Sequence, residues 1–543
     1  MKRLSGLLKN CMEPNREDMK TRIETEVLTD EQGTPIGGGL VRMKLFQVME
    51  GKELTDYLTS GVNVCINELK KRMSGYNRKP LFDTWFQFVR QIEEYINIWY
   101  EYGAPYEDVS RHIHLDRKCE VEEIDSVVAE TFGSDVAVRF LELVDLFIGY
   151  ASIDFDGKRI KEWPVETLYD LLLFLQARRL HIMTILNLIP IWAQGDIKFS
   201  REDIPNKMNE WIGILMSITT GCQSITEANC LPSFYGKLSP SGKMEFSHQY
   251  THLEKNFLEP QPLTPVELEV YRSERLGKRE TKKERSICSK EELELTMRNE
   301  IAYNERYGIT EKESYKELMT FMDEMKMYFK DDYAIEVPQN EFDRLCRVYD
   351  NLELYKELEE FDDIENSRFG FVKMEGVYYS TYFMLIRYYT NIVMKMLRRR
   401  RRFQIDAGFV FEEQVRSVLG KYGFEVQEDC KRIERKEFDV VCVKDGTIYN
   451  FQCKNNYINI STIGLKETTA TCKRNKQLIS YYKAALHKEE GREYLLKGKL
   501  GIDNVKHFVI SRYPVVSDSE RIIPFNRLDE WCETSVRDGH GRE

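Results

Sequence analysis

Asp445-Gly446 stands between two runs rich in β-branched and aromatic residues, 437–444 and 447–454. Asp-Gly in that setting is a strong hairpin signal, because the two-residue turn that suits twisted strands needs positive φ at both central positions. Register then follows by counting: Lys444 faces Thr447, Val443 faces Ile448, and Asp439 faces Gln452. Side chains alternate along a strand, so Lys454 joins Asp439 and Gln452 on one face. The other face carries Phe438, Val440, Cys442, Tyr449, Phe451 and Cys453 and is apolar. One face is built to pack, and the other gathers an acid, an amide and an amine.

Upstream, from Gly408, the residues Phe411, Val415, Val418, Leu419 and Tyr422 form one helical stripe. At 100° per residue Glu412 lies at the edge of that stripe and Glu413 on the far, solvated side. Gly423 ends the helix, and Phe424-Glu425-Val426 starts a strand. A carboxylate and an amide oxygen, with backbone carbonyls and water, can hold a hard divalent cation. Such a cation polarises a phosphodiester and acidifies an attacking water. Lys454 can orient that water or stabilise charge growing in the transition state. Glu412 can complete the shell directly or through water. An amphipathic hairpin with a polar outer face and a solvated helix-edge glutamate use the same residue types.

Here the chain resembles the PD-(D/E)XK nuclease superfamily, in particular Mrr-like restriction endonucleases and nuclease-related domains. The matching elements are Gly-x-x-Phe-Glu ending at Glu412, the strand acid Asp439, and Gln452-Cys453-Lys454 in place of Glu-x-Lys. The resemblance implies a restriction-endonuclease-like α/β/α sandwich over about residues 403–530, a central mixed sheet flanked by helices. It also implies magnesium-dependent phosphodiester hydrolysis, with manganese able to substitute, and DNA as substrate. Asp439, Gln452, Lys454 and Glu412 are then the catalytic set, with Asp439, Gln452 and Glu412 on the metal. Phe438 stands where the name-giving proline would be, and Gln452 replaces the second acid, as in Mrr-like members. The neutral ligand removes one negative charge, which bears on how many metals bind. Gln477 and Tyr481 resemble the Gln-x-x-x-Tyr motif that borders the DNA path in RecB-type nucleases. Lys473, Arg474 and Lys476 lie just before it.

The remaining three quarters are read from pattern. At 543 residues, with 42% hydrophobic and 31% charged side chains, the chain has material for at least two domains. Fifteen prolines and 31 glycines exclude a collagenous or linker-dominated protein. Twelve cysteines without a Cys-x-x-Cys pair indicate neither a zinc ribbon nor a disulfide scaffold, and Cys222 and Cys230 read as buried thiols. The N-terminus shows no apolar signal core, so a reducing, cytoplasmic setting is expected. Gly37-Gly38-Gly39 lacks the Gly-Lys-Ser/Thr ending of a phosphate loop and reads as a turn.

Residues 1–231 are expected to be mostly helical, as in Leu168, Leu171, Leu172, Leu175. Residues 232–265 hold a third of the prolines and read as a boundary or long loop. Residues 266–402 are expected to form long helices, one opening on the capping pair Ser289 and Glu292, and 403–543 the nuclease-like domain. The fold class is thus a mainly α N-terminal region joined to a C-terminal α/β domain. Tyr378–Leu397 is apolar and precedes Arg398–Arg402, but Arg387 at its middle favours a partly buried helix over a membrane span. No membrane partner is expected.

Charge is uneven. From Arg398 onward there are 28 Lys and Arg against 22 Asp and Glu, whereas the rest holds 51 against 68. A polyanion would therefore meet the C-terminal part. Arg398, Arg399, Arg400, Arg401 and Arg402 either grip phosphates or form a solvated helix end. His112-x-His114-x-Asp116 offers two imidazoles and a carboxylate without a third nitrogen or sulfur ligand nearby.

The functional expectation is a metal-dependent DNA nuclease, an endonuclease, whose helical body serves recognition, regulation or partner docking. By analogy of architecture it resembles effectors of prokaryotic defence against phage or foreign DNA. A repair or recombination nuclease has the same chemistry. A degenerate nuclease fold that binds nucleic acid or a partner protein without cutting is the alternative from another class. Cutting both strands is simplest with a homodimer.

Overall fold

The computed structural model describes residues 48–102, 114–115, 118–152, 154–155, 158–159, 166–238, 244–247, 263–265, 268, 290–364, 370–460 and 462–539. The Gly37-Gly38-Gly39 turn, His112, Asp116 and Ser289 lie outside them. Of the described residues 64% are helical, and the C-terminal part holds a mixed sheet of five strands flanked by helices.

The first half is a helical body. After the short strand β1 (Val48–Glu50) come α1 (Gly51–Ser74), α2 (Arg78–Tyr102), α3 (Lys118–Phe132), α4 (Ser134–Ser152), α5 (Leu168–Trp192) and α6 (Gly213–Cys230). Thr167 caps α5 by accepting the Asp170 N–H, while the Asp170 carboxylate accepts the Thr167 N–H. The expected Leu168–Leu175 stripe is present, but α5 is buried on nearly every side. Among the described residues it is the one helix long and apolar enough to cross a membrane, and 78% of its apolar window is buried inside the protein. Trp85 and Trp211 pack ring against ring at the centre of the body.

Residues 232–265 are not simply a loop. β2 (Tyr235–Leu238) and β3 (Met244–Phe246) extend β1 into an antiparallel sheet, order β1-β2-β3. None of the five prolines falls within β2 or β3, so their density does not bar strands there.

Residues 266–402 are not all helical either. After α7 (Lys290–Glu305) and α8 (Glu313–Glu324), β4 (Ala334–Pro338) leads into α9 (Gln339–Val348), followed by β5 (Val372–Met374) and β6 (Val377–Thr381). These strands form a second antiparallel sheet, order β4-β6-β5. Glu375 and Gly376, at φ 48° and 77°, make its hairpin turn. The apolar segment from Tyr378 is therefore divided. Thr381 ends β6 and caps α10 (Tyr382–Leu397) by accepting the Met384 N–H at 3.0 Å. Buried charges tie this sheet to the body: Glu93 meets Arg179 at 3.3 Å and accepts from Thr381 at 3.1 Å and from Tyr333.

α11 (Arg401–Lys421) crosses the expected boundary at 402/403. Its first half, Phe403, Ala407 and Val410, packs in the body core, and its second, Phe411, Val415 and Leu419, in the sheet core. One continuous helix thus belongs to both units, and no linker separates them. Gly423, at φ 77°, ends it, with the Phe424 N–H returning to the Leu419 carbonyl.

There follow β7 (Glu425–Val426), the small hairpin β8 (Arg432–Ile433) and β9 (Lys436–Glu437), then β10 (Val440–Lys444), β11 (Thr447–Lys454), α12 (Leu465–Glu490), α13 (Glu493–Leu500), β12 (Val505–Ser511), β13 (Ile522–Pro524) and α14 (Leu528–Gly539). The main sheet has the order β13-β12-β11-β10-β7, antiparallel through β7-β10-β11 and parallel through β11-β12-β13. α11 and α14 cover one face around Phe411, Phe451 and Leu528. α12 and α13 cover the other around Leu478, Tyr482, Val441 and Leu496. α12 also packs on α6: Cys472 Sγ lies 3.7 Å from Thr226 Oγ1, and Cys222 Sγ lies 3.6 Å from the Ile463 carbonyl.

Candidate active site

Asp445 and Gly446 have φ of 49° and 68°, the left-handed pair of a two-residue hairpin turn. The register runs Lys444↔Thr447, Val443↔Ile448 and Val440↔Phe451, as counted from the turn. Asp439 stands just before β10, and its Oδ2 accepts the Cys453 N–H at 2.8 Å across the hairpin. Lys454 Nζ lies 3.2 Å from Gln452 Oε1 and 3.8 Å from Asp439 Oδ2. The acid, the amide and the amine are brought together.

The alternation fails at Phe438. Its ring sits not with Val440 and Phe451 but on the opposite side of the sheet with Cys430, Val441 and Leu495. A bend at Asp439 separates Phe438 from the strand proper, so period-two counting stops there. The polar face is no outer surface, because α12 and α13 lie on it. Asn450, fully buried, donates to Glu489 Oε2 at 2.9 Å and lies 3.2 Å from His507 Nδ1, while His507 Nε2 is 3.3 Å from Glu493. Burial lowers the His507 pKa, which fits a neutral ring with Nδ1 accepting from Asn450. Arg492 pairs with Glu489, donates to the Glu437 carbonyl at 2.8 Å and covers the Phe438 ring.

α11 delivers Glu412. One turn on, Arg416 reaches Glu412 Oε2 at 3.3 Å and the Asp439 carbonyl at 2.9 Å, and it also pairs with Glu413. Glu413 is therefore an ion-paired, part-buried residue and not the solvated one expected, since Arg416 is i+3 from it and i+4 from Glu412. Arg416 was legible only as that spacing. Its bond to the Asp439 backbone is tertiary.

Burial first, and then the charge of Asp439, push the Glu412 carboxyl up to about 7, against the pull of Arg416 and Lys431. Burial also raises Asp439, opposed by Lys454 and the Cys453 amide. Burial lifts the Cys453 thiol well above its ordinary value, which leaves it unreactive. A part-buried carboxylate whose proton affinity is raised by a second carboxylate beside it is the donor chemistry a hard cation relieves. In that respect the residues fit a magnesium ion held by Glu412, Asp439 and the amide oxygen of Gln452. Among the described residues, however, no group of three or more His, Cys, Asp or Glu converges as a metal site. Gln452 is the neutral member; its Nε2 is buried without a hydrogen-bond partner.

Gln477, Lys473, Arg474, Lys476 and Tyr481 all lie on the exposed side of α12. The tyrosine turned to the sheet is Tyr482, whose hydroxyl lies 3.2 Å from Ser511 Oγ, and Ser511 pairs with Lys454 in the strand register. The arginine run is a joint between α10 and α11. Arg398 stacks 3.8 Å over Tyr457, Arg400 donates to the Gly308 carbonyl at 2.7 Å, and Arg402 donates to the Arg306 carbonyl at 3.2 Å. Arg399 and Arg401 are exposed. Cys222 is fully buried and Cys230 partly so. No family model, curated protein or solved structure matches this chain.

Proposed function

We propose that residues 403–543 form a PD-(D/E)XK nuclease of the Mrr-like, restriction-endonuclease-like kind, which cuts DNA endonucleolytically with magnesium or manganese. The observation that carries the reading is the meeting of Lys454 with Gln452 at 3.2 Å and Asp439 at 3.8 Å, beside a helix that brings Glu412 to the same place. Magnesium held by Asp439, Glu412 and Gln452 supplies, when bound, polarisation of the phosphodiester and acidification of water. Lys454 contributes an ammonium fixed beside the reacting phosphate, which orients water and offsets growing negative charge. Arg416 holds the Glu412 carboxylate and the Asp439 backbone in one arrangement. The helical body serves recognition or regulation, and α11 is the route: it is rooted in the body core and carries Glu412 at its middle. A role as a cytoplasmic effector of defence against phage or foreign DNA accords with that architecture.

The second reading is a degenerate fold that binds DNA or a partner without cutting. It is favoured by the neutral Gln452, whose oxygen is occupied by Lys454, and by the absence, among the described residues, of any group of three or more His, Cys, Asp or Glu able to hold a metal. Purified protein incubated with plasmid, linear, nicked and branched DNA, with magnesium, manganese or EDTA, separates the readings. Metal-dependent products lost in Asp439→Ala support the nuclease, and substrate preference distinguishes defence from repair. Intact, salt-sensitive DNA binding with no products in any metal supports the binding module.

A further inference from the structure

One side of α11 carries Arg401, Ile405, Phe409 and Glu412 at i, i+4, i+8 and i+11, positions that line up along a helix. Ile405 is 44% exposed and Phe409 is 50% exposed, although both lie on a helix that otherwise buries its large apolar side chains. The strip begins at an exposed arginine and ends at the active-site glutamate. Opposite it stands the hairpin β8–β9, with Lys431, Arg432, Arg435 and Lys436 exposed against two acids, Glu434 and Glu437. Lys431 Nζ lies 5.2 Å from the Phe409 ring centre, so hairpin and strip form one surface. The Lys431 carbonyl accepts the Phe438 N–H at 3.1 Å, which anchors the hairpin one residue before Asp439. Its turn residues, Glu434 and Arg435, have φ of 47° and 65° without a glycine, a conformation that costs free energy and sets Arg435 at the tip.

An exposed aromatic ring flanked by cations is the chemistry that holds a nucleic acid by stacking on a base while the phosphates are neutralised. A base inside a duplex presents no free face to such a ring. We infer that Phe409 and the 431–437 hairpin hold an unpaired stretch of DNA beside the scissile phosphate, so that the site takes single-stranded or splayed DNA in preference to continuous duplex. This rests on the nuclease reading above and deepens it.

The test uses the full chain in EDTA, with fluorescein-labelled single-stranded, forked and blunt duplex oligonucleotides followed by anisotropy. Phe409→Ala should bind single strand about tenfold more weakly, the loss of one stacked base, with duplex binding and thermal midpoint unchanged. Phe409→Trp should keep the affinity, and the oligonucleotide should quench emission beyond that of wild type. Lys431→Ala with Arg435→Ala should lower the slope of log affinity against log salt by about 1.4. The inference is overturned if Phe409→Ala binds single strand like wild type and the Phe409→Trp emission does not move. It is also overturned, with the nuclease reading intact, if wild type and Phe409→Ala cut duplex and single strand alike. A wild type that neither binds nor cuts any DNA overturns both.

Discussion

The Lys454 ammonium stands 3.8 Å from Oδ2 of Asp439, across a hairpin whose register is set by a turn more than five residues away from either. The same carboxylate accepts the Cys453 N–H, so strand geometry and charge pairing hold Asp439 together. Lys454→Ala keeps the backbone bond and removes the cation. Cleavage should fall by roughly two to three orders of magnitude, the usual loss for one preorganised electrostatic group. The melting temperature should drop by only a few degrees. A folded Lys454→Ala variant that still cuts at the wild-type rate would refute the catalytic role.

Glu412 makes stability depend on pH. Its carboxyl titrates at about 7 when folded against an ordinary 4.5, so between those values the folded protein holds a proton that the unfolded chain has released. The stability this group contributes is fully present below about pH 4.5 and is lost as pH rises through about 7. The loss is on the order of 3 kcal/mol by pH 8. Glu412→Gln should therefore melt above wild type at pH 8 in EDTA and level with it near pH 4.5, while losing cleavage. Calorimetry at both pH values checks this; a variant less stable at pH 8 contradicts it.

Turn chemistry is local, and for that reason the 445–446 hairpin, its register and the meeting of Asp439, Gln452 and Lys454 were legible in the sequence. Features that depend on distant contacts were not. Phe438 crosses to the other face because the chain bends at Asp439, and a bend leaves no mark on alternation. The hairpin at 432–437 has Glu434-Arg435 at its turn, where a glycine or asparagine would have announced it. The sheet at 334–381 has strands of three to five residues, too short for a periodic signal. The stripe starting near Gly408 did not show that α11 begins at Arg401, because Phe403, Ala407 and Val410 belong to a different core and Ile405 and Phe409 are exposed.

Arg492 supports the site from behind. Its guanidinium pairs with Glu489, whose side chain is 1% exposed, and donates to the Glu437 carbonyl two residues before Asp439. Arg492→Ala leaves a buried carboxylate without its cation and should cost about 3–5 kcal/mol. Adding Glu489→Gln removes the charge but keeps an acceptor for Asn450, so most of that loss should return. Cleavage should stay depressed in the double variant, because the Glu437 carbonyl has still lost its donor. Full recovery of cleavage with stability would limit Arg492 to a structural role.

The body and the C-terminal sheet unit share α6, which packs on α1 on one side and on α12 on the other. Its approach to α1 depends on Gly221. A Cβ there would lie 2.5 Å from Val62 Cγ2, a contact that real Cβ atoms do not make. Val62 is β-branched and 2% exposed, so its methyl cannot rotate away. Gly221→Ala should therefore destabilise the protein by about 1–3 kcal/mol, despite the better helix propensity of alanine. Val62→Ala opens a cavity that the new methyl can enter. The double variant should be more stable than the sum of the single losses by at least about 1 kcal/mol, a coupling read from the four melting curves. Additive losses would mean that α1 and α6 separate to accept the methyl, and the tight contact would then not be what positions α6 against α12.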